Sequence, residues 1–123
     1  MENKLPALQI ADLTINPPIL QGGMGVRVSR SGLAAAVANE GCVGVIASVG
    51  LGKFEDVSGA EFETINNEAL RIEIRKAKSM SKGIIGINAM VALSNYESLV
   101  RTAVDENIDL INKCGKLFRG FQN

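Results

Sequence analysis

Short runs of branched apolar residues alternate along this chain with segments whose apolar positions repeat at helical spacing. The apolar runs lie at residues 19–20, 43–47, 84–88 and 108–111. Continuous runs of this kind predict strands that are covered on both faces of a sheet. Before the first run, residues 5–16 alternate weakly between polar and apolar side chains, and this segment is predicted to form a small strand or hairpin.

The first predicted helix follows the first apolar run and a glycine-rich loop. Ser29 is a good N-cap and Gly41 is a good stop for this helix. The apolar face between them is predicted to consist of Leu33, Ala36 and Val37.

The second apolar run is followed by residues 48–66, which show no clear periodicity. They are predicted to form a long loop, a kind of segment that is often functional or mobile. Asn67 is then predicted to cap a second helix, which Gly83 ends. The buried stripe of this helix is predicted to consist of Leu70, Ile74 and Ala77.

A third helix is predicted from a capping box formed by Ser94 and Glu97. Its apolar face is predicted to hold Leu99, Val100, Ala103 and Val104. The chain therefore alternates strand and helix three times and ends in a strand, an order that predicts right-handed crossovers and a parallel sheet. A doubly wound open sheet and part of a (β/α)₈ barrel both have this order, and periodicity does not separate them.

The composition is that of one ordinary globular domain, with 123 residues, 46% apolar and 21% charged. Because 13 basic residues balance 13 acidic ones, neither nucleic acid nor an anionic membrane is expected as a partner. No apolar run approaches the roughly 20 residues of a spanning helix. Residues 1–4 also lack the apolar block of a signal peptide, so we expect a soluble, cytoplasmic protein.

The chain contains no histidine, and its two cysteines are far apart without metal-ligand spacing. We therefore predict no metal site and no Ser-His or Cys-His nucleophile pair. Cys42 and Cys114 are interpreted as reduced packing residues.

Binding chemistry is most strongly indicated by the loop after the first apolar run, where Gly22, Gly23 and Gly25 surround Met24. Bare backbone of this kind lets a flat or anionic ligand contact peptide N–H groups, although a tight turn with positive φ has the same composition. Met24 is interpreted either as core packing or as a side chain that lies against a ring.

Nucleotide-binding fingerprints do not fit this loop. Val28 stands where the third glycine of a dinucleotide site belongs, and the second apolar run ends in Ala47 and Ser48 rather than in a carboxylate. No Gly-Lys-Ser/Thr sequence follows the glycines, so a phosphate-binding P-loop is excluded as well.

A barrel accounts for the candidate chemistry better, because the loops after its strands form one active face. Here those loops would be residues 22–25, 48–52 and 88–90. Asn88 offers both a donor and an acceptor to the edge of a neutral heterocycle, or it satisfies loop backbone as a capping amide.

Five segments stand out in order along the chain. They are Gln-Gly-Gly-Met-Gly at 21–25, Leu-Ala-Ala-Ala-Val-Ala-Asn-Glu-Gly at 33–41, Val-Gly-Val-Ile at 43–46, Glu-Ile-Arg-Lys-Ala at 73–77 and Gly-Ile-Asn-Ala-Met-Val-Ala-Leu at 86–93. Together they resemble the nitronate monooxygenases, formerly called 2-nitropropane dioxygenases, and the related flavin-dependent enoyl-acyl-carrier-protein reductases. The resemblance runs from about Leu8 to Ile111 and does not separate the two activities.

The resemblance implies the N-terminal half of a (β/α)₈ TIM barrel, with parallel strands one to four and three helices, that holds FMN at the carboxyl ends of its strands. It implies oxidation of alkyl nitronates with O₂, in which the nitronate passes an electron to the flavin before oxygen joins. The flavin-binding residues that it implies are Gly22, Gly23, Met24, Gly25, Ser48 and Asn88. No catalytic residue is assigned.

The sequence departs from the family after residue 111. A full barrel needs about 250 residues, so the loops that usually hold the flavin phosphate have no counterpart here, and neither does the family's histidine base. Residues 1–111 are interpreted as the half-barrel and residues 112–123 as a tail foreign to the family. Codons AAT-AAG-TGC-GGN for Asn-Lys-Cys-Gly in that tail read Ile-Ser-Ala one base later, so we hypothesise a frameshifted or truncated gene product.

The predicted function is that of an FMN-dependent oxidoreductase of nitronate monooxygenase type, present as a fragment with weak flavin binding and little or no activity. One alternative is a fragment of a flavin-dependent enoyl-acyl-carrier-protein reductase. The other is a non-catalytic half-barrel that associates with itself.

Half a barrel would leave open edges at its first and fourth strands and an exposed inner face, and such surfaces favour association. We therefore predict that the chain forms homo-oligomers or is poorly soluble. Sedimentation velocity of the purified chain measures this, and a stable, monodisperse monomer would contradict it.

Overall fold

The computed structural model describes residues 5–52, 59–113 and 116–120. Its helices are α1 (Ser31–Asn39), α2 (Gly59–Met80) and α3 (Tyr96–Asp105). Its strands are β1 (Leu8–Ile10), β2 (Leu13–Ile15), β3 (Gly44–Ala47), β4 (Ile85–Ala89), β5 (Leu110–Lys113) and β6 (Lys116–Arg119). The chain is therefore of the α/β class. Cys114 and residues 53–58 of the predicted loop lie outside the described residues.

The central sheet has the order β3-β4-β5-β6, with parallel pairing from β3 to β5. The predicted parallel strands are thus confirmed for the last three apolar runs, although the final strand begins at Leu110 rather than at residue 108. The first run is reduced to a single parallel bridge between Leu20 and Val43. The hairpin predicted in residues 5–16 is confirmed, because β1 and β2 pair antiparallel.

Each face of the sheet packs on its own core. On one face the three helices bury branched residues such as Ile46, Ile74 and Ile87, all fully buried. On the other face the β1–β2 hairpin covers Val43, Val45 and Leu110, with Ile15 between them. The predicted exposed inner face is therefore wrong for this part of the sheet, because the hairpin covers it.

The apolar face predicted for α1 is wrong. The helix buries Ala34, Ala35 and Ala38, whereas Leu33 remains 46% exposed. α1 lies so close to β3 that a Cβ atom on Gly44 would stand 1.8 Å from the carbonyl oxygen of Ala34. Only small side chains fit at that separation, so the alanines face the sheet. The end of the helix is as predicted, at Gly41, whose φ is +89°.

The buried stripes predicted for the other two helices are confirmed. Leu70, Ile74 and Ala77 of α2 are fully buried, as are Leu99 and Ala103 of α3. α2 packs against both α1 and α3. α2 has 22 residues, but none of its 18-residue windows is sufficiently apolar for a membrane span. No helix in the described part of the chain is both long and apolar enough to cross a membrane.

The starts of α2 and α3 are both predicted wrongly. α2 already includes Gly59, so Asn67 lies inside the helix rather than at its cap. The early turns of α2 are largely exposed and carry no apolar stripe, which is why periodicity does not reveal them.

The capping box at Ser94 and Glu97 is also wrong. α3 begins at Tyr96 with Asn95 as its N-cap, and no side chain caps it. A turn in which Leu93 N–H donates to the carbonyl of Met90 precedes the helix and moves its start beyond Ser94.

The segment after β5 belongs to the same sheet. β6 pairs antiparallel with β5, and Leu117 packs in the core under the hairpin. Arg119 Nε donates to Asp12 Oδ1 over 2.7 Å, and this hydrogen bond lowers the pKa of Asp12. The edge predicted to be open at the fourth strand is therefore paired, so the prediction is wrong for that edge.

Glu106, just after α3, connects this helix to α2. It accepts hydrogen bonds from Arg75 Nε at 2.8 Å and from Arg71 Nη1 at 2.9 Å. The hydrogen bond from Arg75, and then that from Arg71, lower the pKa of Glu106 below its usual 4.5. Because the folded pKa lies below the unfolded one, the stability from this group is present above the unfolded pKa and is lost as pH falls through the folded value.

We predict that Glu106→Gln lowers the free energy of unfolding at pH 7 by roughly 1 kcal/mol, because only the charged carboxylate pairs with both arginines. The difference from wild type should shrink at an acidic pH below the usual pKa of 4.5, because the carboxylate becomes protonated as the pH falls through its lowered pKa. Urea unfolding at both pH values measures it. Glu97→Gln is the control, since its pair with Arg101 is exposed on both sides. A difference that does not change with pH would contradict the prediction.

Candidate functional site

The glycine loop, residues 21–25, begins beside β3. The N–H of Gln21 donates to the carbonyl of Val43 over 3.0 Å. The Gln21 side chain then behaves like a further peptide group, because its Nε2 donates to Val45 O at 3.2 Å and its Oε1 accepts from Val45 N at 3.1 Å. One amide side chain thereby continues the pairing with β3 and sets where the glycines begin.

Gly23 lies directly against the end of β4. A Cβ atom on Gly23 would stand 3.0 Å from the Cβ of Asn88 and 3.1 Å from Cγ1 of Val45. The Asn88 Nδ2 donates to the carbonyl of Gly23 over 3.2 Å. The interpretation of Asn88 as an amide that satisfies loop backbone is therefore confirmed for Nδ2, and the loop and the amide share one edge of the sheet.

Ser29 closes the glycine loop instead of capping α1. Its Oγ accepts a hydrogen bond from the N–H of Met24 at 2.9 Å, and its own N–H donates to the carbonyl of Met24 at 2.9 Å. Ser29 is buried, and the N-cap of α1 is Arg30, without a side-chain bond. The predicted cap is wrong because the hydroxyl is already used by the loop.

Ser48 follows β3 at the same edge and is fully buried. Its Oγ donates to the carbonyl of Asn88 over 2.7 Å, and its N–H donates to the same oxygen over 3.2 Å. Val49 also approaches the glycine loop, 3.4 Å from where a Cβ on Gly25 would stand. The structure thus brings together the three loops that follow the first three apolar runs.

Asn66 is a residue of this region that the sequence interpretation missed. It lies in α2, its side chain is 1% exposed, and it bonds both Ser48 and Leu51 in the loop after β3. The available signal was its spacing, because Asn66 stands one helical turn before Leu70 in the buried stripe.

Apolar side chains surround the glycine loop at the surface. Met24 is 62% exposed and Val26 is 58% exposed, while Met90, just after β4, is 48% exposed. The interpretation of Met24 as core packing is therefore wrong. Exposed apolar groups beside bare backbone form a surface suited to a flat, weakly polar ligand.

One further surface feature lies away from this edge. A wide cleft of about 470 Å³ separates α2 from α3 and is lined mainly by polar side chains such as Glu63, Asn67 and Arg101. Within residues 5–52, 59–113 and 116–120, no group of three or more Cys, Asp or Glu side chains is placed to hold a metal ion.

The sequence model described as nitronate monooxygenase matches residues 7–113. The chain belongs to the nitronate monooxygenase family. The match includes the glycine loop, Ser48 and Asn88, so all three features described above are parts of the family domain. No curated protein matches the chain.

Two solved structures of FabK from Thermotoga maritima are similar to this family member. The first has 23% sequence identity and a TM-score of 0.58, and it covers 78% of this chain and 26% of the FabK chain. The second, a single-residue variant, has 25% identity and a TM-score of 0.59, and it covers 78% of this chain and 28% of the other. The chain therefore spans about a quarter of the FabK chains that it resembles.

The contrast between Gly22 and Gly23 gives a matched test of the loop geometry. We predict that Gly23→Ala lowers the free energy of unfolding by about 1–3 kcal/mol, because its Cβ would press on Asn88 and Val45. Gly22→Ala should change it by less than about 0.5 kcal/mol, since in the described part of the chain no atom beyond the two neighbouring residues lies within 4 Å of the new methyl group. Urea unfolding measures both, and equal losses would show that the loop does not lie as described.

Proposed function

We propose that the chain supplies one wall of an FMN site in an oxidoreductase of nitronate monooxygenase type. The observation that carries this proposal is the contact between Gly23 and Asn88, which brings a bare loop and an amide to the carboxyl ends of parallel strands. Family membership supports a flavin as the cofactor, and the sequence resemblance supports FMN in particular.

The described residues fit a flat heterocycle in three respects. Among the described residues other than its chain neighbours, no atom lies within 4 Å of the Cβ position at Gly22, so a ring can approach that peptide closely. Met24 is exposed and flexible enough to lie on a ring face. Asn88 Oδ1 accepts no hydrogen bond from the described part of the chain, so it is available to an N–H at the ring edge.

FMN, when bound, supplies the oxidation and reduction chemistry. The residues of this chain would bind and orient it. Gly22, Gly23 and Gly25 would do so through their backbone, and Met24 and Asn88 through their side chains. Ser48 is buried and would act indirectly, by its hydrogen bond to Asn88.

We further propose that residues 1–111 form the N-terminal half of a (β/α)₈ barrel and that residues 112–123 are foreign to the family. The family match ends at residue 113, two residues after this boundary, and its end close to the boundary is what supports the division. The nitronate activity is proposed for a complete barrel, and weak flavin binding with little or no activity is proposed for this chain. We also predict that copies of this chain associate with one another through the open sheet edge at residues 19–20.

The second candidate is a flavin-dependent enoyl-acyl-carrier-protein reductase, because the glycine loop and Asn88 are common to both sequence patterns. Nitronate-dependent oxygen uptake in a flavin-loaded sample supports the first candidate, and NAD(P)H-dependent enoyl reduction supports the second. A defined oligomer that neither binds flavin nor turns over substrate would favour the non-catalytic half-barrel.

We predict that FMN, added to ¹⁵N-labelled chain, shifts the amide resonances of Gly22, Met24 and Asn88 with weak, saturable affinity. Asn88→Ala should weaken the affinity about fivefold, the loss of one neutral hydrogen bond. Asn39→Ala, a surface amide of α1, is the control and should leave it unchanged. If the shifts are centred elsewhere, or if millimolar FMN causes none, the proposed site is wrong. If the purified protein is yellow and holds one FMN per chain, the proposal that flavin binding is weak is wrong.

A further inference from the structure

Asn66 is a buried amide with both of its polar groups paired. Its Oδ1 accepts a hydrogen bond from the N–H of Leu51 at 2.9 Å, and its Nδ2 donates to the carbonyl of Ser48 at 3.0 Å. The side chain is 1% exposed. From its place in α2 it therefore holds both ends of residues 48–51, the loop that leaves β3.

The helical pattern favours an apolar residue at this position. Asn66 precedes Leu70 and Ile74 in the buried stripe of α2, and an aliphatic side chain would continue the stripe without the cost of burying an amide. A polar residue that interrupts such a pattern, with every polar atom paired, is expected where function constrains the sequence.

The loop that Asn66 holds is connected to the candidate flavin site by hydrogen bonds. Ser48 Oγ donates to the carbonyl of Asn88 over 2.7 Å, and Asn88 Nδ2 donates to the carbonyl of Gly23 over 3.2 Å. Hydrogen bonds therefore connect Asn66 through Ser48 to the Asn88 peptide, and through the Asn88 amide to the glycine loop.

We propose that Asn66 is a positioning residue for the flavin site. It sets the place of Ser48, and through Ser48 it sets the orientation of Asn88 and of the Gly23 peptide, while its burial keeps it from the ligand. The inference rests on the proposed function for the identity of the ligand. The placement of Asn88 by Asn66 exists without any ligand and is tested separately.

The test compares Asn66→Leu with Asn67→Leu in the full chain. Asn67 is the matched control, because it is the next residue of α2 and its Nδ2 donates to Ser98 Oγ of α3 at 3.2 Å, away from the site. In Asn66→Leu, the side-chain NH₂ resonances of Asn88 and the amide resonance of Gly23 should move, and amide exchange at Leu51 should accelerate. In Asn67→Leu these signals should keep their wild-type positions.

Affinity is the second readout. The dissociation constant for FMN should rise about tenfold in Asn66→Leu, a loss typical of residues that orient ligand-contacting groups. In Asn67→Leu it should change by less than about twofold. If the wild-type chain binds no FMN, the proposed function fails, and the Asn88 resonances still decide the positioning role.

Ser48→Ala breaks the same path at its middle and serves if Asn66→Leu does not fold. It removes only the Oγ bond to Asn88 and should displace the same Asn88 and Gly23 resonances. If the Asn88 and Gly23 resonances keep their wild-type positions in a folded Asn66→Leu variant or in Ser48→Ala, the proposal is wrong.

Discussion

The close approach of residue 23 to the end of β4 is the contact on which the arrangement of the candidate site depends. Because Gly23 has no side chain, its peptide lies against Asn88, where a Cβ atom would stand only 3.0 Å from the Cβ of Asn88. The amide of Asn88 then binds the carbonyl of Gly23. Bare backbone at the surface and an amide at the strand end therefore occupy the same edge, which is where ligands bind in parallel α/β proteins.

Side-chain amides perform the pairing that regular structure cannot supply at this edge. A loop that leaves a parallel strand has no neighbouring strand to complete its backbone hydrogen bonds. Gln21 pairs with Val45 as a peptide would, Asn88 pairs with Gly23, and Asn66 pairs with Ser48 and Leu51. An amide is suited to this role because it both donates and accepts, and each buried group left without a partner would cost about 1–3 kcal/mol.

Two short antiparallel elements cover and extend the parallel part of the sheet. The β1–β2 hairpin covers one face, and β6 pairs along β5, so strands β3 to β5 bury their apolar side chains without further barrel strands. Arg119 connects the two elements through Asp12. The edge with the glycine loop, at the carboxyl ends of the strands, keeps exposed apolar side chains such as Met24.

The sequence by itself determined the strands β3 to β5 and the buried stripes of α2 and α3, because burial on two faces or on one helical face leaves a regular apolar pattern. Only the tertiary structure decided which side of α1 is buried, since the close approach at Gly44 admits alanines and excludes Leu33. It likewise decided that Ser29 holds the loop rather than a helix, and that Asn66 pairs with Ser48 and Leu51. Those roles depend on residues distant in sequence, and local patterns do not record which distant group a polar side chain meets.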